Sequence, residues 1–137
     1  MAEEVIVLTD LTKKYGAFTA VDRICLSVAK GEVFGLLGPN GAGKSTTNLM
    51  MLGLTEPTSG NVSICGIDAT HNPIEVKRRI GYLPEDVGFY DDMTGVENLM
   101  YTAALNGIAR DEAHSRAVRL MERVGLGEQM ELSLIHI

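Results

Sequence analysis

Gly38-Pro39-Asn40-Gly41-Ala42-Gly43-Lys44-Ser45-Thr46 constrains this chain more than any other stretch in it. It satisfies the pattern GxxxxGK[ST]. Residues 32–37, Glu-Val-Phe-Gly-Leu-Leu, run into it almost continuously apolar, which predicts a strand buried on both faces of a sheet. After it, Leu49, Met50 and Leu52 continue in a helix-compatible stretch up to Gly53. A strand, a glycine-rich turn and a helix in that order are the context in which this pattern is a phosphate-binding loop.

The chemistry follows from the residue types. Successive backbone N–H groups wrap a phosphate only where the chain reaches unusual dihedrals with no side chain in the way, so Asn40, Gly41, Ala42 and Gly43 are candidate backbone donors. The helix N-terminus behind them adds partial positive charge. Lys44 would set a full charge against β- and γ-phosphates, Ser45 would give Mg2+ a hard oxygen, and Thr46 would help hold an α-phosphate. The plainer alternative is a glycine-rich turn carrying a surface lysine. Nine consecutive fitting residues in the required context disfavour it.

Around the loop the patterning predicts an α/β chain. Residues 5–8 and 20–28 read as strands separated by a polar segment with Lys13, Lys14 and Gly16, and residues 61–65 and 80–83 read as two more. Asn72-Pro73-Ile74-Glu75 has the order of an N-cap, a first-turn proline and a capping-box glutamate, which predicts a short helix through Arg79. Residues 84–92, with four acidic side chains, predict a loop. Thr94 and Glu97 then have capping-box spacing for a helix whose apolar face is Val96, Leu99, Met100, Ala103 and Ala104. A further helix is expected after an Asp111 cap, with Ala113, Ala117, Leu120, Met121 and Val124 on one side and Gly125 closing it. Arg116, Arg119 and Arg123 fall outside that side, as a solvated face that balances the helix dipole or, alternatively, as a phosphate-binding patch.

Composition excludes several functions. At 137 residues, 45% hydrophobic and 22% charged, the chain has the make-up of one soluble globular domain. A net charge of −6 gives no long-range attraction for nucleic acid, and 5% aromatics with no tryptophan give few stacking surfaces. No apolar run approaches the ~20 residues of a membrane span, and the first residues lack the basic start of a secretion signal. Cys25 and Cys65 stand far apart in apolar, strand-like settings and read as reduced core thiols of a cytosolic protein. His71, His114 and His136 are too scattered to predict a shared metal site.

The loop's wording resembles the ATP-binding cassette (ABC) family's own version of the phosphate loop, and two further features carry the resemblance. Tyr15, in Leu11-Thr12-Lys13-Lys14-Tyr15-Gly16, matches the aromatic that stacks on adenine in that family. Ile80-Gly81-Tyr82-Leu83-Pro84-Glu85, with Tyr90-Asp91-Asp92-Met93-Thr94 and Glu97-Asn98-Leu99 after it, resembles the strand and Q-loop leading into the helical subdomain. Glu85 stands where the family usually has Gln, so a carboxylate, a candidate catalytic group and with Ser45 a candidate Mg2+ ligand, replaces a neutral amide. The double Thr46-Thr47 and residues 32–38 look most like export-type cassettes of the multidrug and daunorubicin-resistance kind.

What the resemblance implies is a P-loop core with an antiparallel β subdomain (residues 1–92) and the start of a helical subdomain (93–131). It implies ATP and Mg2+ as ligands, a head-to-tail cassette dimer, transmembrane permease subunits as partners, no nucleic acid, and a cytoplasmic position on the inner face of the cell membrane. The sequence contains no LSGGQ-like signature, no Walker B strand with its catalytic glutamate and no switch histidine, so the fold is expected to be truncated and the chain to turn over ATP poorly. In the family, strands from that absent part flank the phosphate-loop strand. Residues 132–137 can be encoded CTG-TCT-CTT-ATA-CAC-ATC, which resembles the mosaic end of a transposase adapter used in sequencing libraries. A non-native tail is therefore expected there, with a short C-terminal strand as the alternative. The rival readings are a nucleotide-binding fragment without turnover and a soluble cassette ATPase acting in translation or DNA repair.

Overall fold

A computed structural model describes residues 3–136. Met1, Ala2 and Ile137, on which parts of the N-terminal and tail readings fall, lie outside the described residues. The chain divides into two compact units, Met1–Leu83 and Pro84–Ile137.

In the first unit β1 (Glu4–Tyr15) and β2 (Phe18–Ala29) form a long hairpin, and β3 (Ser59–Ile64) and β4 (Ile67–Asp68) extend it into an antiparallel sheet of order β2-β1-β3-β4. Lys13 and Lys14, read as a separating segment, belong to β1 and face Val21 and Thr19 in the register. The irregularity of β1 between Leu8 and Leu11 resets its alternation, so these two side chains, three residues apart, share one core with Met50 and Val76 from α1 (Lys44–Met51) and α2 (Pro73–Lys77). Leu11, Met50, Val62 and Val76 are fully buried, and removing such side chains from water contributes about 1.5–3 kcal/mol each. Leu11→Ala would cost about 2–5 kcal/mol, because the cavity adds to the lost transfer energy.

The β1 ladder breaks at a bulge where Asp10 and Arg23 adopt positive φ, and the Thr12 hydroxyl repairs the break by accepting from Arg23 N–H at 3.0 Å and donating to Asp10 C=O at 3.2 Å. Cys25 faces this bulge and Cys65 sits in the β3–β4 turn with φ +50°; both thiols are free and exposed, which corrects their reading as core residues. An apolar neighbourhood in sequence does not bury a thiol placed at a bulge or a turn.

Two expected strands are absent among the described residues. Residues 32–37 form no strand, and Val33 and Leu37 are 99% and 91% exposed. Residues 80–83 are likewise unpaired; Ile80 packs against the core, while Tyr82 and Leu83 are exposed. A strand exists only where a neighbour completes its ladder, and the antiparallel sheet offers none to either segment. At α2 the Asn72 side chain makes no cap bond and Glu75 pairs with Arg78 instead, so the expected capping box does not form.

The second unit opens with residues 84–92, free of regular structure as expected, and continues into α3 (Gly95–Leu105) and α4 (Arg110–Arg123). Thr94 accepts from Glu97 N–H at 3.1 Å and Glu97 accepts from Thr94 N–H at 2.8 Å, the expected reciprocal cap. Val96, Ala117 and Met121 form the core, with Leu99, Met100, Leu126 and Met130 around it. Ala104, Leu120 and Val124 are exposed, so the packed faces are narrower than the sequence pattern. The cap of α4 is Ala109 rather than Asp111, which falls in the first turn and complements the helix dipole from there. Residues 134–136 form a single 3-10 turn, and Leu134 N–H donates to Met93 C=O at 3.1 Å.

Candidate nucleotide-binding site

The phosphate loop owes its place to a backbone contact. Gly43 caps α1 with φ +86°, and a Cβ there would stand 2.3 Å from the Ala20 carbonyl oxygen and 3.0 Å from Val21 Cγ2. Only glycine lets the helix start press this closely on β2. Ala42 N–H donates to Pro39 C=O at 3.2 Å, which turns the loop so that Asn40, Gly41 and Ala42 form its exposed crest.

Lys44 is half-buried and reaches back across the loop, its ammonium donating to Gly38 C=O at 2.6 Å and Pro39 C=O at 2.8 Å. No side chain caps α1 and its first turn holds no acidic residue, so the positive end of the helix and the lysine charge act on the same loop without an anion of the chain's own. Ser45 is exposed and Thr46 half-buried in this first turn. Thr47, whose part the sequence did not disclose, is 1% exposed and donates its hydroxyl to Gly43 C=O at 2.9 Å, while its N–H donates to the same oxygen at 2.8 Å. A threonine one turn inside a helix signals such a bond to the carbonyl four residues back.

Tyr15 lies at the hairpin end opposite Phe18, two residues along β2 from Ala20, and is about half exposed. Lys13 Nζ sits 5.1 Å from its ring centroid and donates to Glu56 C=O at 2.6 Å, so one ring face already carries a cation. The first unit therefore brings Tyr15 and residues 38–46 to the same hairpin.

Glu85 belongs to the second unit, where it is exposed in the loop before α3. Among the described residues no cluster of three or more His, Cys, Asp or Glu side chains could hold a metal ion. The end of the same loop is tightly fixed. Buried Asn98 accepts from Tyr90 N–H at 2.9 Å and donates to Tyr90 C=O and Thr94 C=O, both at 3.0 Å. Tyr90 packs edge-on against Tyr101 at 5.1 Å, and the neighbouring Tyr101 side chain pushes its hydroxyl pKa up. Beneath lies an apolar cavity of about 290 Å³ lined by Phe89, Tyr90, Leu99, Tyr101 and Met121 among others. Asn98 appears in the sequence only as part of Glu97-Asn98-Leu99; its partners are main-chain groups, which residue types do not reveal.

Among known proteins, a family model described as ABC transporter matches residues 21–135. The linearmycin resistance ATP-binding protein LnrL of Bacillus subtilis is 42% identical over 120 residues, covering 88% of this chain and 39% of that protein. The bacitracin transport ATP-binding protein BcrA of Bacillus licheniformis is 44% identical over 122 residues, covering 89% of this chain and 39% of its own length. A solved structure described as the ATP binding subunit of an ABC transporter superposes with a TM-score of 0.80 at 31% identity, covering 97% of this chain and 55% of that one. The chain thus spans about two fifths of the length of these two relatives. The match agrees with the α/β cassette fold expected from the motifs. Among the described residues no helix is long and apolar enough to cross a membrane.

Proposed function

From the premise that the chain belongs to the ABC transporter family, we propose that residues 38–46 hold ATP and that the whole protein is the ATP-binding subunit of an export-type transporter, hydrolysing ATP to drive transport across a membrane. The observation that carries this reading is the placement of Lys44, whose ammonium spans the loop at 2.6 and 2.8 Å from two carbonyls at the uncapped, positive end of α1. A triphosphate takes over those donors together with the N–H groups of Asn40, Gly41, Ala42 and Gly43. Lys44 meets the β- and γ-phosphates, and Thr46 supports the α-phosphate.

Tyr15 receives adenine on the ring face that Lys13 does not cover. Ser45 fits a hard cation, since its hydroxyl is exposed in the first turn of α1. Mg2+ bound there would neutralise phosphate charge. Glu85, a carboxylate where the family usually has an amide, has the chemistry of an Mg2+ ligand and of a catalytic group in this reading. Residues 1–92 then form the nucleotide-gripping part and 93–131 the start of the helical subdomain that meets a permease. The working assembly is a head-to-tail cassette dimer beneath transmembrane subunits, on the cytoplasmic face of the membrane. For residues 1–137 alone the reading is binding without turnover, because the signature and Walker B segments are not in this sequence.

Titration with a fluorescent ATP analogue tests the site. Lys44→Ala should weaken binding by about tenfold or more, as expected for the loss of charge-assisted bonds to phosphate. Equal affinity in the variant would overturn the assignment.

A further inference from the structure

From its middle to its C-terminus α4 carries Arg116, Arg119 and Arg123 around an open cleft of about 400 Å³ with Leu120 in its wall. In a chain of net charge −6 this is a local concentration of the opposite sign. Like charges three and four residues apart on a helix repel and weaken it. The helix dipole offsets only part of this, since its field fades beyond the last turn and so favours Arg123 but not Arg116.

Counter-charges are few. Glu112 pairs with Arg116 from the turn before, and among the described residues Glu122 makes no ion pair within 4.0 Å. Arg119 Nε donates to Ser115 C=O at 3.2 Å, which fixes the stem and points to the remaining guanidinium nitrogens as donors. Among the described residues neither Arg119 nor Arg123 has an acidic partner within 4.0 Å.

We propose that this cleft is a second anion site, separate from the loop at residues 38–46, which takes a phosphate-bearing group between the guanidinium forks of Arg119 and Arg123 while Arg116 supplies long-range charge. Planar guanidinium forks match phosphate oxygens two at a time. The exposed Leu120 and Val124, one turn apart beside them, suit a ligand whose phosphate is attached to apolar matter. The phosphate is therefore either free in solution or part of a lipid headgroup, and both sources use the same chemistry.

The test uses the 137-residue chain carrying Lys44→Ala, which weakens the phosphate loop, and compares arginine variants within that one background, so that the outcome is independent of the function proposed above. Inorganic pyrophosphate is titrated, and flotation is measured with vesicles of phosphatidylcholine with and without phosphatidylglycerol. Pyrophosphate binding should weaken about fivefold for each of Arg119→Gln and Arg123→Gln, with the far-UV circular dichroism of the chain unchanged. Arg110→Gln, the same charge change outside the cleft, should leave binding intact, and the pair Arg119→Lys with Arg123→Lys, which keeps the charge but loses the forks, should bind between the parent and the Gln pair. Flotation with phosphatidylglycerol that the double Gln variant abolishes supports the lipid source. Pyrophosphate binding without flotation supports the soluble one. Absence of both, an equal loss in Arg110→Gln, a Lys pair as weak as the Gln pair, or polyglutamate binding as tightly as pyrophosphate overturns the proposal.

Discussion

Gly43 and Ala20 are in backbone contact across the helix–strand junction: a side-chain carbon on Gly43 would lie 2.3 Å from the Ala20 carbonyl oxygen. The positive φ of +86° at Gly43 adds a second obstacle to any substitution. Gly43→Ala should therefore destabilise the first unit by about 3 kcal/mol, since backbone, not a flexible side chain, must yield. Hydrogen exchange at the amides of α1 and of β2 near Ala20 should accelerate together. Unchanged protection would show that the junction relaxes freely, contrary to the contact.

Thr47 separates stability from ligand contact in the same loop. Its buried hydroxyl donates to Gly43 C=O at 2.9 Å, whereas the crest that would meet phosphate, residues 40–42, is exposed. Thr47→Val keeps the shape and loses the bond, at a cost of about 1 kcal/mol, whereas Thr47→Ser retains it. Thermal or urea unfolding should rank the serine variant nearer the parent. The reverse order would remove the hydroxyl's role.

Asn98 should be the most sensitive polar position in the second unit. It pairs with both main-chain groups of Tyr90, at 2.9 and 3.0 Å, and also holds Thr94 C=O. Asn98→Ala leaves these groups to seek other partners and should cost about 2–3 kcal/mol. Asn98→Asp keeps the acceptor but offers no amide donors, so it should not rescue the loop. The Tyr90 amide, which donates to Asn98 Oδ1, should lose hydrogen-exchange protection in Asn98→Ala and keep more of it in Asn98→Asp, while both variants lose stability in urea unfolding; full protection in the alanine variant, or an aspartate variant as stable as the parent, counts against the clamp.

Acid should weaken the β4–α2 turn through Asp68. A hydrogen bond with the His71 side chain, at 3.0 Å, and then the His71 and Thr70 backbone N–H groups hold its carboxyl pKa below the usual carboxylate value. The unfolded carboxyl titrates near about 3.9. A folded pKa below that means the contribution is present above the unfolded pKa and is lost as pH falls through the folded value. Asp68→Asn should flatten the stability profile between about pH 5 and pH 2, and parallel profiles would remove Asp68 from the explanation.

What the sequence discloses here is what neighbours along the chain decide. The Thr94–Glu97 cap, the positive-φ Gly43 of the phosphate loop and Gly125 closing α4 are set within four residues, and each is found where its pattern places it. Residues 32–37 have the composition of a buried strand, but pairing is supplied by other strands, and the sheet formed here does not reach them. Cys25 and Cys65 are misplaced for a related reason, because a bulge and a turn rotate them outward. Asn98 and Thr47 bond to main-chain carbonyls, which every residue carries, so no pattern of residue types marks them.

The exposed apolar segment at residues 32–37 gives the final prediction. Val33 and Leu37 are 99% and 91% exposed, and the backbone beside them carries unpaired N–H and C=O groups. Such an edge recruits other chains, through apolar contact and through strand pairing. The isolated chain should self-associate as its concentration rises, and Val33→Lys together with Leu37→Lys should shift this to higher concentration by placing charges on the edge. Sedimentation velocity across a concentration series reads both effects. A parent chain that stays monomeric and melts in one cooperative, concentration-independent step would mean that the segment is covered in solution.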